Sequence, residues 1–327
     1  MKKLLILFIA TSLFLAACVS IAPTAAPSPV PSREPEPTLG LPTQNTAEVT
    51  ILAPASTSSI PVLLAAKAMP NTKVSLFSNH PQASALFIKE ENTVLVSGLS
   101  VGVDMFKNGV PLQIFNSNVS GLSYLVGCNQ EVKGFADLKG KEVYLPFEGS
   151  PLAETTAFFA SKAGLEWKKD VTPVYAPFDT STALIKQGKE VLVALPEPSV
   201  SAMAAQACFK LGPSYYDEWN KITGSNNGYP QVGAFAKKSF IEDHTDWINT
   251  FNTELEKALQ ACTKNPAGSV EEVKDQFKLP VPVLTNALGR TRFSLESGKV
   301  LKESVIHYYQ TIGKPLDESF AGFFALP

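Results

Sequence analysis

The sequence predicts an α/β fold, a largely parallel sheet flanked by helices. Three observations carry that prediction. Short apolar runs rich in Val, Ile, Leu or aromatic residues recur along the chain, each run ends in a cluster of small polar residues, and a helix-like stretch follows each cluster. Strands buried on both faces read as continuous apolar runs, and their alternation with helices is the signature of parallel β-α-β units.

The units follow in order. "VTILAPASTSSIPVLLAAKA" begins at Val49, then come "KVSLFSNHPQASALFIKE" and "TVLVSGLSVGVDMFKNG". Later the pattern returns as "EVYLPFEGSPLAETTAFFASKAGL", "VTPVYAPFDTSTALIKQGKE" and "VLVALPEPSVSAMAAQA". Several junctions carry helix-start chemistry. Ser150 places a capping hydroxyl before Pro151 at the first helical position, and Gly164 supplies a stop. Asp179 and Thr180 are expected to cap the next helix, which Gly188 ends.

Ahead of these units lies a different kind of sequence. Residues 1–17 begin with Lys2 and Lys3, continue as an apolar run from Leu4 to Leu15 and end in small residues, the layout of a secretory signal peptide. The run is too short to span a bilayer comfortably. The stretch "LAAC" resembles the bacterial lipobox, in which Cys18 becomes the lipidated first residue of the mature chain. Residues 18–45, with Pro23, Pro27, Pro29, Pro31, Pro35, Pro37 and Pro42 among Ala, Ser, Thr and Glu, cannot build a core and form an extended tether. The expectation is a domain leashed to the lipid bilayer through Cys18, on the extracytoplasmic face of a bacterial membrane, either cell surface or periplasm.

About 280 residues remain, enough for one large domain or two lobes of ordinary size. The net charge of -2 gives no hint of a polyanion, so no nucleic-acid partner is expected. Cys128, Cys208 and Cys262 leave two patterns open: a disulfide between Cys128 and Cys208, which suits an exported protein, or three buried free thiols.

Catalytic and cofactor signatures do not emerge. His80, His244 and His307 sit in unrelated settings, without the spacing of a metal site. No nucleophile elbow, phosphate-binding loop or dinucleotide fingerprint occurs. The expectation is a protein that is not an enzyme and needs neither metal nor cofactor. A triad assembled from distant positions would have His80 as its best candidate. The loops that end the apolar runs instead offer hydroxyls, amides and a few aromatics, the repertoire of a small-molecule pocket at the carboxyl ends of strands.

"GFADLKGKEVYLPFEGSPLAETTAFFASKAGL" resembles the solute-binding proteins of ABC importers, which have the type II periplasmic-binding fold. It is similar in particular to the branch that binds nitrate, sulfonate, taurine and pyrimidine precursors. "ALPEPSVSAM" and "GYPQVGAFAKKSFIEDHTDWINTFNTELEKALQACTKNP" match two further segments in the family's order, and the resemblance covers about residues 48–312. It implies two α/β lobes, each a mainly parallel sheet, closing on a solute held in the cleft between them. Lobe one is expected at 46–119 and 230–327, and lobe two at 120–229. The crossovers fall near "NSNVSG" and "GSNNGYPQ", rich in Asn, Ser and Gly as joints. By family position Ser56, Thr57, Ser58, Ser97, Ser100, Asn118, Ser120, Phe147, Glu148, Ser150, Phe178 and Glu197 face the cleft. A membrane permease follows as partner, and a monomer as the expected state. Lys237, Lys238, Glu242 and Asp243 are a candidate permease contact.

Arginine occurs only at Arg33, Arg290 and Arg292, so no pocket loop contains the usual partner of a sulfonate or carboxylate. Glu148, Asp179 and Glu197 lie in those loops, with Phe115, Phe147, Tyr175, Phe178 and Tyr229 near strand ends. A flat, neutral or cationic nitrogenous solute of vitamin or pyrimidine-precursor type is therefore expected. A small anion held by helix N-termini is the alternative. A surface lipoprotein that binds another protein is a second alternative.

Overall fold

The computed structural model describes residues 48–326. Cys18, the leader and the tether lie outside the described residues. Among the described residues eleven strands form two sheets: β1 (Val49–Pro54), β2 (Thr72–Phe77), β3 (Thr93–Gly98), β4 (Leu112–Gly121), β5 (Ser123–Cys128), β6 (Lys141–Leu145), β7 (Val171–Tyr175), β8 (Val191–Pro196), β9 (Phe209–Ser214), β10 (Val232–Lys237) and β11 (Arg292–Glu296). The six-stranded sheet has the order β11-β4-β10-β3-β1-β2, and the five-stranded sheet the order β7-β6-β8-β5-β9.

The sheets are mixed rather than mainly parallel. β2, β1 and β3 pair in parallel, as do β7, β6 and β8, which are the β-α-β units read from the sequence. β10 is antiparallel to β3 and β4, and β5 to β8 and β9. The physical reason is the path of the chain. β5 and β10 are the first strands after each passage between sheets, so they start where their neighbours end. Ser123, at the start of β5, pairs with Pro196 at the end of β8; Val232, at the start of β10, pairs with Gly98 at the end of β3. The carboxyl ends of the parallel strands in both sheets therefore meet at one boundary, the place where open α/β sheets bind ligands.

The first crossover is tighter than a flexible joint. "NSNVSG" belongs to β4, and buried Leu122 alone separates β4 from β5. The second runs from Gly224, after the helix Tyr215–Thr223, to Gln231.

Local signals place several elements. Ser150 Oγ accepts from the Ala153 amide at 3.1 Å and opens the helix Pro151–Lys162. Gly164 follows that helix at φ +81°, a left-handed conformation in which an added Cβ is strained. The next helix starts earlier than expected: it spans Phe178–Lys186 with Pro177 at its N-cap, so Asp179 lies in the first turn and Thr180 inside the helix. Cys128 and Cys208 form a disulfide that joins the end of β5 to the chain entering β9, while Cys262 is free and buried. No described helix is long and apolar enough to cross a membrane.

One apolar core runs through both halves. Leu52, Leu95 and Leu99 of the six-stranded half share it with Leu125, Phe135 and Phe159 of the five-stranded half. An aromatic cluster closes it. Trp219 lies 4.7 Å from Tyr229 and 5.5 Å from Tyr308, Tyr229 and Tyr308 stack at 5.2 Å, and Phe158 sits 5.7 Å from Trp219. Tyr308 comes from the helix Gly298–Thr311, so the return half is anchored on the helices of the five-stranded half.

Candidate functional site: the boundary between the two sheets

The strand-end loops from the two halves touch directly. Ser100 Oγ, in the helix after β3, donates to the Gly149 carbonyl at 3.2 Å in the loop after β6. Gly98 approaches Pro151 so closely that a Cβ there would lie 2.9 Å from the proline ring. Tyr124 of β5 donates its hydroxyl to the Arg290 carbonyl at 3.1 Å. On this boundary the predicted residues divide into three groups.

The first group is buried apart from the half-buried Ser56, and several of its members bond to one another or to the segment around Thr291. Thr57 and Ser58 are fully buried; Thr57 Oγ1 lies 2.8 Å from Thr291 Oγ1, and Ser56 Oγ lies 2.6 Å from Ser58 Oγ. Ser97 is buried at the end of β3, and Ser120 Oγ donates to the Arg292 carbonyl at 3.4 Å. Asn118 is fully buried, and neither its amide oxygen nor its amide nitrogen has a hydrogen-bond partner.

Glu197 and Ser150 form the second group, buried but engaged in holding the fold. Glu197 accepts from the Ser201 amide at 3.0 Å and the Ser201 hydroxyl at 3.1 Å, and its Oε1 lies 3.6 Å from Arg290 Nη1. Burial pushes its carboxyl above the ordinary value, against the pull of Ser201 and Arg290. Ser150 is occupied by its helix cap.

The third group is not buried at the boundary. Phe147 is 41% exposed, and Glu148 forms an exposed pair with Lys168 at 2.6 Å on its own half. Phe178 packs on the core around Ile185 and Val193. Among the other aromatics, Phe115 packs edge-on against Phe251, and Tyr229 belongs to the stacked cluster. Phe115, Tyr229 and Phe178 thus have their apolar area satisfied by packing, and Phe147 alone among the named rings stands exposed.

Sequence reasoning missed Arg290, Thr291, Tyr124 and Gln231. Arg290 and Thr291 end the helix Val281–Arg290, outside every strand-end loop, and reach the boundary only through the return of the chain. The one signal in the sequence is rarity: two of its three arginines flank Thr291. Lys237 also departs from expectation. It is 8% exposed and bound to Glu91 at 2.5 Å, so its charge is already paired. Two surface grooves of about 190 and 250 Å³, one beside Thr263 and Phe293 and one beside Lys67 and Glu272, contain none of the predicted site residues. Among the described residues no group of three or more His, Cys, Asp or Glu converges as a metal site.

No protein-family model matches the chain, and no curated protein matches it. Solved structures do. The ligand-binding component of an ABC-type import system from Staphylococcus aureus, with zinc bound, superimposes with a TM-score of 0.70 at 10% identity, over 86% of this chain and 97% of that one. The periplasmic aliphatic sulphonate binding protein SsuA from Escherichia coli gives 0.67 at 18% identity, over 86% and 92%. A Candida albicans protein described as having the generic periplasmic binding protein fold gives 0.62 at 10% identity, over 85% and 96%. The chain therefore has the two-lobed periplasmic-binding fold, with its two mixed sheets as the lobes.

Proposed function

We propose that the chain is the solute-binding component of an ABC importer, tethered through Cys18 outside a bacterial membrane. It captures a small nitrogenous solute between its two sheets and hands it to a membrane permease. The observation that carries the reading is the boundary itself. Carboxyl strand ends from both sheets converge there, their loops bond across it, and buried polar groups stand along it with bonds unmade. Closure of the halves would remove the solute from water and strengthen each polar contact made to it.

Of the neutral and cationic solutes suggested by the sequence, the neutral one is favoured. The loop carboxylates read from the sequence as partners of a cation are engaged or turned outward: Glu197 with Ser201 and Arg290, Glu148 with Lys168. Arg290 likewise has its charge answered by Glu197. A small anion is the second reading. One observation favours it: Arg290 stands at the boundary with its side chain 36% exposed and only a 3.6 Å contact to Glu197, so its guanidinium keeps donors free for an anion.

Native mass spectrometry of the full-length chain tests the proposal. A co-purified small molecule is expected, and its identity would decide between neutral and anionic solutes. Absence of any adduct, joined to no thermal shift with vitamins, nucleobases, amino acids or sulfonates, would turn the reading towards a protein-binding lipoprotein.

A further inference from the structure

Two buried amide residues stand where the chain passes between the sheets, Asn118 near the end of β4 and Gln231 at the end of the second passage. In β4, Ser117 pairs with Gly233 and Val119 with Val232, so Asn118 is the extra residue of a β-bulge and opposes nothing on β10. Bulges re-aim a side chain, and they recur next to functional sites. Gln231 stands beside it on the second passage. Its backbone amide donates to the Val119 carbonyl at 2.9 Å, and its Oε1 accepts from the Leu122 amide at 3.2 Å. That second bond fixes the orientation of the side chain, because only oxygen can accept from Leu122. Nε2 is left buried, with the Tyr229 hydroxyl as a neighbour but no completed hydrogen bond.

Buried amides without partners are rare in folded proteins, since their desolvation is not repaid. Here Asn118 leaves both an acceptor and a donor group unmet, and Gln231 a further donor. Of the charged groups around the crossover, Arg290 is paired with Glu197, while Glu296, opposite Ser117 on β11, keeps one buried carboxylate oxygen without a partner. We propose that Asn118 and Gln231 set the solute class, by recognising an uncharged carboxamide, lactam or ureide group that presents a donor and an acceptor side by side. This rests on the solute-binding reading above.

The inventory of bonds separates this class from its rivals. A sulfonate or nitrate only accepts, and leaves Asn118 Oδ1 buried and unmet. An ammonium only donates, and leaves Asn118 Nδ2 and Gln231 Nε2 unmet. A lactam or carboxamide answers both atoms of Asn118 at once, and its carbonyl has a second lone pair for Gln231.

The test measures binding of nicotinamide, uracil and allantoin to the full-length chain by calorimetry and thermal shift, with methanesulfonate, nitrate and putrescine as charged comparators. An uncharged probe should bind the unmodified protein. Asn118→Leu should lose at least tenfold in that affinity, equivalent to about 1.4 kcal/mol, with an unchanged far-UV spectrum. Gln231→Glu keeps the acceptor for Leu122 and removes the amide donor, and should weaken the same probe. If methanesulfonate or nitrate binds instead, with equal affinity in Asn118→Leu, this inference is overturned while the solute-binding reading stands. If Asn118→Leu gains thermal stability and binds the uncharged probe unchanged, the amide holds structural water only, and the inference also falls. If no probe binds and native mass spectrometry shows no adduct, the solute-binding reading itself fails.

Discussion

At its aromatic end the boundary between the two sheets is filled by stacked rings, whereas at the double crossover it is equally buried but short of hydrogen bonds. Trp219, Tyr229 and Tyr308 bury most of their area against one another and against Phe158. At the crossover Asn118 and Gln231 lie inside the protein with polar atoms unmet, and Arg290 balances a fully buried Glu197. Packing is non-directional and contributes stability wherever area is removed from water. Unmade hydrogen bonds cost stability and are kept where something else is to complete them. On the proposed solute-binding reading the difference is a division of labour, in which one end joins the halves and the other is left to read what lies between them.

The largest effect should come from breaking the packed end. Trp219→Ala removes the ring that joins three elements and should destabilise the fold by about 3–5 kcal/mol, read from chemical denaturation. A loss below about 1 kcal/mol would mean that the rings do not join the halves.

Next is Arg290. Arg290→Met removes a donor to Ser201 at 3.3 Å and the countercharge of Glu197, and should cost about 1–2 kcal/mol at neutral pH, read from the same denaturation curves. Its side chain is 36% exposed, and solvent screening keeps the value low.

A smaller effect is expected at the ion pair between Lys314 and Glu154, 2.7 Å apart, which also ties the return half to the helix Pro151–Lys162. Lys314→Met should cost about 0.5–1 kcal/mol, because Lys314 is half-exposed. Hydrogen exchange along the helix should rise with it, and unchanged exchange would remove the pair as a tie.

The smallest effect concerns pH. The folded Glu197 carboxyl titrates above its ordinary value of 4.5, chiefly through burial, so the native state holds this proton more tightly than the unfolded chain. Stability from this group is present below 4.5 and is lost as pH rises through the raised value. Glu154 and Glu296 shift in the same direction for the same leading cause. Glu197→Gln should flatten the decline in melting temperature above pH 4.5 without abolishing it. An identical pH profile in the variant would show that Glu197 does not titrate in that window.

Elements with short-range causes are legible in the sequence. Ser150 and Pro151 open their helix, and Gly164 follows its end, because capping and left-handed turns act within a few residues. The same local reading misplaces Asp179, since Pro177 caps that helix and starts it earlier. Spacing alone leaves the disulfide open, and the antiparallel pairing of β5 with β9 decides it by bringing Cys128 beside Cys208. Phe115 and Tyr229 read as free stacking surfaces in the sequence, yet Phe251 and Tyr308, far along the chain, occupy their faces.

Sequence alone settles the alternation of strands and helices, the positions of several helix ends and the clustering of small polar residues after strands. These follow from periodicity, capping and turn chemistry, which depend on neighbours in the chain. Tertiary structure was needed to decide that β5 and β10 reverse direction, that Arg290 meets Glu197, and that buried Gln231 bonds to β4 one residue from buried Asn118. Those outcomes depend on which distant segments the crossovers bring together, and on which polar groups burial then leaves without water or a partner.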